Sequence, residues 1–267
     1  MLRVCNVCGY TQSRSLFARG DKVFGQQDVR QCNNCGLVFV DPLPEISILK
    51  NHYNDFFFTE RFNFVESGKI WEKFYELNLQ YLEKIKNKGR LLEIGCGLGH
   101  FLNIAKKRGW DTYGVELSEF ACGYAKEKFG LNIFNGLLEK AGFPDNYFDV
   151  VVLWATLEHL TDPFEKLTEV HRILLKNGLL SLSVPNHNSL YTRIFGMQKT
   201  DMQYCEHIYH FPLKTLKIML NKIGFTDIRR IAIFGGGPKD AVIADIIQFV
   251  ARKLNIGSET RIIVFKR

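Results

Sequence analysis

From residue 89 onward, short apolar runs alternate with longer stretches in which apolar residues recur at helical spacing. The apolar runs predict strands at 90–94, 112–116, 148–154, 179–184, 227–234 and 261–265. The stretches between them predict helices at 99–108, 118–129, 163–175, 212–223 and 239–253. Runs such as 150–154 are apolar at every position, which is typical of strands buried on both faces. The pattern predicts an α/β domain over 89–267, built on a mostly parallel sheet with helices on each side.

Proline and glycine mark the limits of these predicted helices. Proline is favoured in the first helical turn, which is where Pro163 and Pro212 stand. A glycine with positive φ commonly ends a helix. We expect that conformation at the glycines that follow four of the helices: Gly109, Gly130, Gly178 and Gly224.

Upstream of this domain, residues 45–88 combine an aromatic cluster with a further predicted helix. Apolar residues at helical spacing place that helix at about 66–86. The aromatic cluster has no clean period and consists of Tyr53, Phe56, Phe57, Phe58, Phe62 and Phe64. We favour the interpretation that it packs the N-terminal segment onto the α/β domain, because exposed aromatic clusters are disfavoured. A lid over the substrate is the alternative.

The segment 1–44 carries two Cys-x-x-Cys-Gly motifs, CNVCG at 5–9 and CNNCG at 32–36, separated by 23 residues. In each motif two thiolates can face one metal ion, and the glycine permits a positive φ where the chain folds back. Four thiolates form a tetrahedral site that suits a structural Zn²⁺, with iron as the alternative metal. The four cysteines could instead form disulfide bonds or stay free thiols, although the chain has an odd number of cysteines, seven. The predicted ligands, in a module that resembles a zinc ribbon, are Cys5, Cys8, Cys32 and Cys35.

The first strand of the α/β domain ends in a turn with glycines at alternate positions, Gly95, Gly97 and Gly99. A glycine-rich turn between a strand and a helix usually binds a nucleotide-like ligand. The second strand ends at Glu116, 21 residues after Gly95, where a carboxylate can accept hydrogen bonds from ribose hydroxyls. Because the carboxyl ends of parallel strands meet at one edge of the sheet, we expect the ligand site there.

Two cofactors compete for this site, a dinucleotide and S-adenosylmethionine. The dinucleotide motif places two residues between its last two glycines, whereas a single residue separates Gly97 from Gly99. Glu93, two positions before the first glycine, would repel a pyrophosphate but suits the ammonium group of an amino acid. The sequence therefore favours S-adenosylmethionine.

Four segments carry a resemblance to a known family. EIGCGLG at 93–99 resembles the first motif of class I S-adenosylmethionine-dependent methyltransferases, and GVELS at 114–118 resembles the second. FPDNYFDVVVLWATLEHLTDP at 143–163 and HRILLKNGLLSLSVPN at 171–186 resemble the segments around the fourth and fifth strands. The resemblance covers roughly 66–234 and implies a Rossmann-like seven-stranded sheet. With its cysteine module, the chain further resembles bacterial methyltransferases with zinc-binding N-termini, including sugar C-methyltransferases.

The resemblance also implies the residues that contact the cofactor. Glu93 would face the methionine ammonium, Glu116 the ribose and Leu117 the adenine. Many relatives have Asp where this chain has Leu137, and Cys96 is interpreted as a small filler rather than a nucleophile. The full set implied by the resemblance is Glu93, Gly95, Cys96, Gly97, Gly99, Glu116, Leu117, Gly136, Leu137, Leu138, Trp154 and Ala155.

Methyl transfer usually needs a proton acceptor, and histidine suits that task near neutral pH. The first candidate is the pair Glu158-His159 after the fourth strand, although His159 could instead brace the following turn. The second is His207, in a predicted substrate-covering insert at 186–211, and we favour it as the general base.

A formal charge of +7 and a pI near 9.0 favour an anionic acceptor, unless the charge merely solubilises the surface. Arg193 and Lys199 are candidates to contact such a group, whereas Arg172 is interpreted as structural.

The sequence predicts a small-molecule methyltransferase acting on a sugar, lipid-linked or quinone-like hydroxyl or carbon. An RNA methyltransferase and a non-catalytic cofactor-binding scaffold are the competing hypotheses; few basic residues in 1–44 argue against nucleic acid. No segment is apolar over the ~20 residues that a membrane span requires, and no signal peptide is evident. We therefore expect a cytoplasmic protein.

Overall fold

The computed structural model describes residues 3–53, 57–58, 64–186, 188–196, 206–231, 250, 253–254, 257 and 259–267. The strands are β1 Ser13–Asp21, β2 Gly25–Cys32, β3 Val38–Asp41, β4 Arg90–Ile94, β5 Asp111–Glu116, β6 Asn132–Asn135, β7 Phe148–Trp154, β8 Leu174–Pro185, β9 Tyr209–His210, β10 Phe225–Arg230 and β11 Glu259–Lys266. The helices are α1 Ile46–His52, α2 Phe64–Glu83, α3 His100–Lys107, α4 Glu119–Phe129, α5 Pro163–Ile173, α6 Leu190–Phe195 and α7 Leu213–Ile223. Two short 3-10 helices lie at Leu138–Lys140 and Leu157–His159.

The larger sheet has the strand order β10-β11-β8-β7-β4-β5-β6 in the described chain. Strands β4 to β8 run parallel, and β11 pairs antiparallel with both β8 and β10. The predicted α/β, Rossmann-like fold with a seven-stranded, mostly parallel sheet is therefore confirmed. Strand β4 lies between β7 and β5, so its carboxyl end opens at the point where the chain order reverses.

Buried side chains fill both faces of this sheet. On one face, Leu92, Leu153 and Leu182 belong to a core shared with α5 and α7. On the other face, Leu91 and Val152 belong to a core shared with α2, α3 and α4. This two-sided burial explains why the central strands are apolar at nearly every position.

One predicted helix end is wrong. The sequence pattern extends α5 to residue 175 and ends it with a left-handed glycine at Gly178, but α5 ends at Ile173 and β8 begins at Leu174. Asn177 takes the positive φ, +59°, within β8. A Cβ on Gly178 would lie 2.7 Å from the Leu175 carbonyl oxygen, so the glycine permits a close backbone approach inside the strand.

The smaller sheet joins the N-terminal segment to the distant segment around residue 209. Its order is β1-β2-β3-β9, with every pair antiparallel. Val38, Phe39 and Val40 belong to the same core as Ile208, Tyr209 and the central strands of the larger sheet. We call 3–44 the ribbon below.

Most of the predicted helix at 239–253 lies outside the described residues. Over the part of the chain that the structure describes, no helix has the length and apolar character needed to cross a membrane.

Candidate functional site

A cavity of about 660 Å³ lies at the carboxyl ends of the parallel strands. The residues that the sequence assigns to the cofactor and that line it are Glu93, Gly95, Cys96, Gly97, Glu116, Leu117, Gly136, Leu137, Leu138, Trp154 and Ala155. His159 and His207 line the same cavity. The structure thus brings together eleven of the twelve predicted cofactor residues and both candidate bases.

The glycine turn is fixed by bonds to neighbouring strands. Gly95 donates its N–H to the Val115 carbonyl oxygen at 2.8 Å and has a φ of +70°. A Cβ on Gly95 would lie 2.6 Å from Thr156 Oγ1, whereas a Cβ on Gly97 would point to Phe58 in the cavity wall at 3.3 Å. Glycine at both positions leaves the backbone open to a ligand.

Gly99 is the predicted cofactor residue that does not line the cavity. It is the N-cap of α3, with a φ of +75°. A Cβ there would lie 2.6 Å from Leu131 Cδ1 and 3.0 Å from Ala125 Cβ. The structure therefore gives Gly99 a packing role, because it lets the start of α3 approach the end of α4.

Glu93 places a buried carboxylate at the cavity wall. Its side chain is 6% exposed, and its Oε2 atom has no hydrogen-bond partner among the residues that the structure describes. Burial, together with the nearby carboxylate of Glu116, raises the pKa of Glu93 well above its usual range. An orphaned carboxylate of this kind fits a cationic ligand group such as an ammonium.

Glu116 links the second strand to the glycine turn. Its carboxylate accepts hydrogen bonds from the N–H of Gly97 at 2.9 Å and from the N–H of Ser118 at 2.9 Å. Burial raises the pKa of Glu116, although these two bonds oppose the shift. Each carboxylate oxygen keeps a second lone pair, so Glu116 can still accept hydrogen bonds from ribose hydroxyls.

Aromatic and apolar groups complete the cofactor half of the cavity. Trp154 packs on Phe101 with ring centroids 4.4 Å apart and lies parallel to Tyr75 at 6.5 Å. Ala155 follows with a φ of +48°, which non-glycine residues rarely adopt and which recurs at functional sites. Burial and the two carboxylates raise the pKa of the Cys96 thiol, which argues against a nucleophilic thiolate. These residues fit S-adenosylmethionine.

The two candidate bases face each other. The ring centroids of His159 and His207 are 4.8 Å apart. His159 Nδ1 lies 2.7 Å from Tyr53 Oη and 3.0 Å from the Glu206 carbonyl oxygen, and burial lowers the pKa of His159 to about 4. Glu158 is fully buried, with one carboxylate oxygen 3.9 Å from His159 Nε2.

Glu158, His159 and His207 could also hold a metal ion, because one ligand atom from each lies within 4.8 Å of the others. The arrangement therefore has two chemical uses, proton transfer and divalent cation binding.

Some cavity residues escape sequence reasoning: Tyr75 lies parallel to Trp154, and Arg261 enters from β11. Tyr53, a member of the aromatic cluster noted in the sequence, reaches His159 from the end of α1. Arg261 is 5% exposed and donates to Glu259 at 2.6 Å and Asn78 at 3.0 Å. The only signal in the sequence is an arginine at the start of a predicted apolar strand, and its position becomes clear only once β11 pairs with β8.

The basic residues predicted to meet an anion lie elsewhere. Arg172 forms ion pairs with Asp145 and Glu169, which supports its structural interpretation. Arg193 is exposed on α6 and does not line the cavity, and Lys199 lies outside the described residues.

The four ribbon cysteines converge at one point. Their sulfur atoms all lie within 4.8 Å of one another, with Cys5 and Cys35 3.6 Å apart and Cys8 and Cys32 3.5 Å apart. All four are free of disulfide bonds. A tetrahedral Zn²⁺ with bonds of about 2.3 Å needs sulfur atoms about 3.8 Å apart. The four thiols fit such a metal.

Each cysteine pair forms the tight turn that the sequence predicts. Gly9 donates to the Cys5 carbonyl oxygen at 2.8 Å and Gly36 donates to the Cys32 carbonyl oxygen at 3.1 Å. Both glycines have positive φ, +74° and +80°.

Comparison with known proteins identifies related chains. A family model described as "Methyltransferase domain" matches residues 68–229. A probable S-adenosylmethionine-dependent methyltransferase of Mycobacterium tuberculosis is 25% identical over 167 residues, 62% of this chain and 59% of that protein. A ubiquinone biosynthesis O-methyltransferase of Cereibacter sphaeroides is 33% identical over 104 residues, 37% of this chain and 42% of that protein. The matches thus span less than two thirds of the length of these two relatives.

A solved structure shows the same fold. The S-adenosylmethionine-dependent methyltransferase of Archaeoglobus fulgidus superposes with a TM-score of 0.56 at 25% identity. The superposition covers 77% of this chain and all of the other.

Proposed function

Since the chain belongs to the methyltransferase domain family, we propose that this S-adenosylmethionine-dependent enzyme methylates a hydroxyl group or an activated carbon of a small molecule, with His207 as the general base. The observation that carries the proposal is the meeting of His207 and His159 on the wall of the cavity that also holds the glycine turn. When bound, the cofactor supplies an electrophilic methyl group on a sulfonium.

The residues of the glycine turn hold and orient the cofactor. Glu93 binds its ammonium group, because the buried Oε2 gains the cationic partner that the described part of the protein does not provide. Glu116 binds the ribose while it keeps Gly97 in place through the N–H bond at 2.9 Å. Leu117, Leu137 and Leu138 form the apolar edge against the adenine.

The histidine pair divides the catalytic work. His159 is held by Tyr53 and Glu206, and its lowered pKa of about 4 keeps the ring neutral near neutral pH. It therefore serves to position rather than to take the proton. His207 accepts the proton from the acceptor as the methyl group transfers. The buried Glu158 carboxylate stabilises the imidazolium that results.

The acceptor half of the cavity favours a molecule with an apolar or aromatic body. Its walls carry aromatic side chains, namely Tyr53, Phe57, Trp71 and Phe74. Aromatic walls suit a planar ring or a lipid chain, which supports a quinone-like or lipid-linked acceptor. The name of the ubiquinone biosynthesis relative supports the same class. For the ribbon, we propose a structural Zn²⁺ on Cys5, Cys8, Cys32 and Cys35.

The test is methyl transfer from trideuteromethyl-labelled S-adenosylmethionine to a panel of quinols, phenols, nucleotide-linked sugars and short RNA, read by mass spectrometry. We expect a quinol or phenol to gain the label. His207→Asn should lower turnover by about 10²- to 10⁴-fold, the usual contribution of a general base, and leave S-adenosylhomocysteine binding unchanged.

Full turnover in His207→Asn would remove His207 as the base. Turnover that requires an added divalent cation would instead favour metal binding by Glu158, His159 and His207. Labelling of RNA alone would overturn the small-molecule proposal.

A further inference from the structure

We propose that the ribbon is part of the catalytic apparatus and that Arg19 is a positioning residue for His207. In this view the metal-bound ribbon fixes the backbone that carries the base, in addition to folding its own segment. The inference rests on the proposed role of His207.

Arg19 joins β1 of the ribbon directly to the His207 backbone. Its Nη2 donates to the His207 carbonyl oxygen at 2.8 Å, across 188 positions of sequence. A second hydrogen bond orients the guanidinium, since its Nε donates to Gln27 Oε1 at 3.2 Å. Gln27 lies opposite Arg19 in β2, is 3% exposed and donates to the Pro42 carbonyl oxygen at 3.4 Å. The ribbon therefore presents Arg19 in a fixed position.

The residues after His207 are held by the ribbon as well. Strand β9 pairs with β3, with Val38 opposite His210 and Phe39 opposite Tyr209. Val40 donates its N–H to the Ile208 carbonyl oxygen at 3.2 Å. We call this contact between 38–40 and 208–210 the seam. Together with the Arg19 bond, it holds the segment from 207 to 210 against the ribbon at successive residues.

The same segment bonds to the other half of the catalytic group. Ile208 donates its N–H to the Glu158 carbonyl oxygen at 2.9 Å. Its peptide groups therefore contact the ribbon on one side and the Glu158-His159 turn on the other. The distance between the His159 and His207 rings thus depends on the seam between β3 and β9.

The metal site is coupled to this seam through α7. Thr215 donates its hydroxyl to the Cys35 carbonyl oxygen at 2.6 Å in a buried contact. Lys222 donates to the Val7 carbonyl oxygen at 3.0 Å. Both metal-binding turns are therefore anchored on the helix that directly follows β9, so loss of the metal should loosen the His207 segment.

Small displacements of a catalytic group are costly, since about 1 Å can reduce a rate by 10²-fold. Arg19 does not line the cavity, so its removal should leave cofactor binding intact. We expect Arg19→Gln to lower kcat by about tenfold or more, with an unchanged affinity for S-adenosylhomocysteine. Arg19→Lys, which keeps a cationic donor, should restore part of the loss.

The test compares Arg19→Gln, Arg19→Lys and a matched control, Arg14→Gln, in the full chain. Arg14 lies on the same strand, but its guanidinium donates to Gln31 within the ribbon. Three quantities are measured: amide hydrogen exchange over 206–211, calorimetric affinity for S-adenosylhomocysteine, and kcat on whichever panel acceptor is methylated. Exchange over 206–211 is also measured after chelation of the metal.

The proposal predicts faster exchange over 206–211 in Arg19→Gln and in the metal-depleted protein, with unchanged exchange in Arg14→Gln. Wild-type exchange over 206–211 in both perturbed proteins would overturn it. So would a wild-type kcat in Arg19→Gln when His207→Asn is inactive. An active His207→Asn variant would instead refute the proposed base, while the exchange data still decide whether the ribbon holds the segment.

Discussion

At the scale of single residues, Glu93 has a buried carboxylate that destabilises the ligand-free fold but is suited to bind the cofactor. Its buried carboxylate lies near Glu116, and no described residue neutralises its Oε2. We expect Glu93→Gln to weaken S-adenosylhomocysteine binding by about 10- to 100-fold, because hydrogen bonds to charged groups contribute about 1.5–3 kcal/mol. The ligand-free variant should melt at a higher temperature, because a buried like-charge contact is removed. Titration and scanning calorimetry measure the two effects.

The raised pKa of Glu93 also makes folding stability and cofactor affinity depend on pH. An unfolded glutamate has a pKa of about 4.3. The folded protein keeps Glu93 protonated to a higher pH than the unfolded chain does. Glu93 therefore contributes stability fully below its unfolded pKa, and this contribution is lost as the pH rises through its folded pKa. Binding of an ammonium group needs the ionised form, so affinity should rise over the same interval. Glu93→Gln should lose the part of each trend that Glu93 contributes, while the raised pKa of Glu116 still gives stability a weaker trend of the same sign; both are measured between about pH 5 and about pH 8.

Sequence reasoning finds residues whose role is local and misses those positioned by distant packing. Glu93 and Glu116 follow adjacent strand ends, so the motif alone places both at the cavity. Arg261 enters the cavity, and Arg19 contacts the His207 backbone, only because of sheet pairing between segments far apart in the chain. No local pattern encodes such pairing.

At the scale of elements, the glycine turn contains a residue that serves packing between helices. We expect Gly99→Ala to destabilise the fold by about 2 kcal/mol, because its φ is +75° and the new Cβ would lie 2.6 Å from Leu131 Cδ1. Cofactor affinity in the folded variant should change little, since Gly99 does not line the cavity. Urea unfolding and calorimetry provide the two readouts.

Gly123→Ala is the matched control for this substitution. Gly123 lies inside α4, where an added Cβ would meet no atom within 4 Å. Alanine is the better helix former, so this variant should gain about 0.5–1 kcal/mol. A Gly99→Ala protein as stable as wild type would contradict the packing role of Gly99. Loss of cofactor binding at full stability would show that Gly99 acts on the ligand instead.

The reliability of sequence reasoning also differs among elements. Strands β4 and β7 have the predicted bounds, because a strand buried on both faces requires a continuous run of apolar residues, which is visible in the sequence. Strand β9 has only two residues and exists through its pairing with β3, so it carries no pattern of its own. The error at Gly178 arose because a bulged strand start and a helix end use the same residue type.

At the scale of the whole molecule, the ribbon and the larger sheet share one core. The cluster that contains Cys5 and Val38 also contains Leu92 and Leu153 of the central strands. We therefore expect metal chelation to lower the melting temperature of the whole chain in one cooperative transition. Scanning calorimetry with and without the chelator measures this. Separate transitions, with the larger one unmoved, would show that the ribbon is an independent unit.

The most direct test of the proposed cofactor site is a crystal structure of the protein with S-adenosylhomocysteine. We expect the ligand in the cavity of about 660 Å³, with its ammonium group within hydrogen-bond distance of Glu93 Oε2 and its ribose hydroxyls on Glu116. The sulfur atom should face His207. A ligand bound outside this cavity, or one with its adenine at Glu93, would contradict the proposed site.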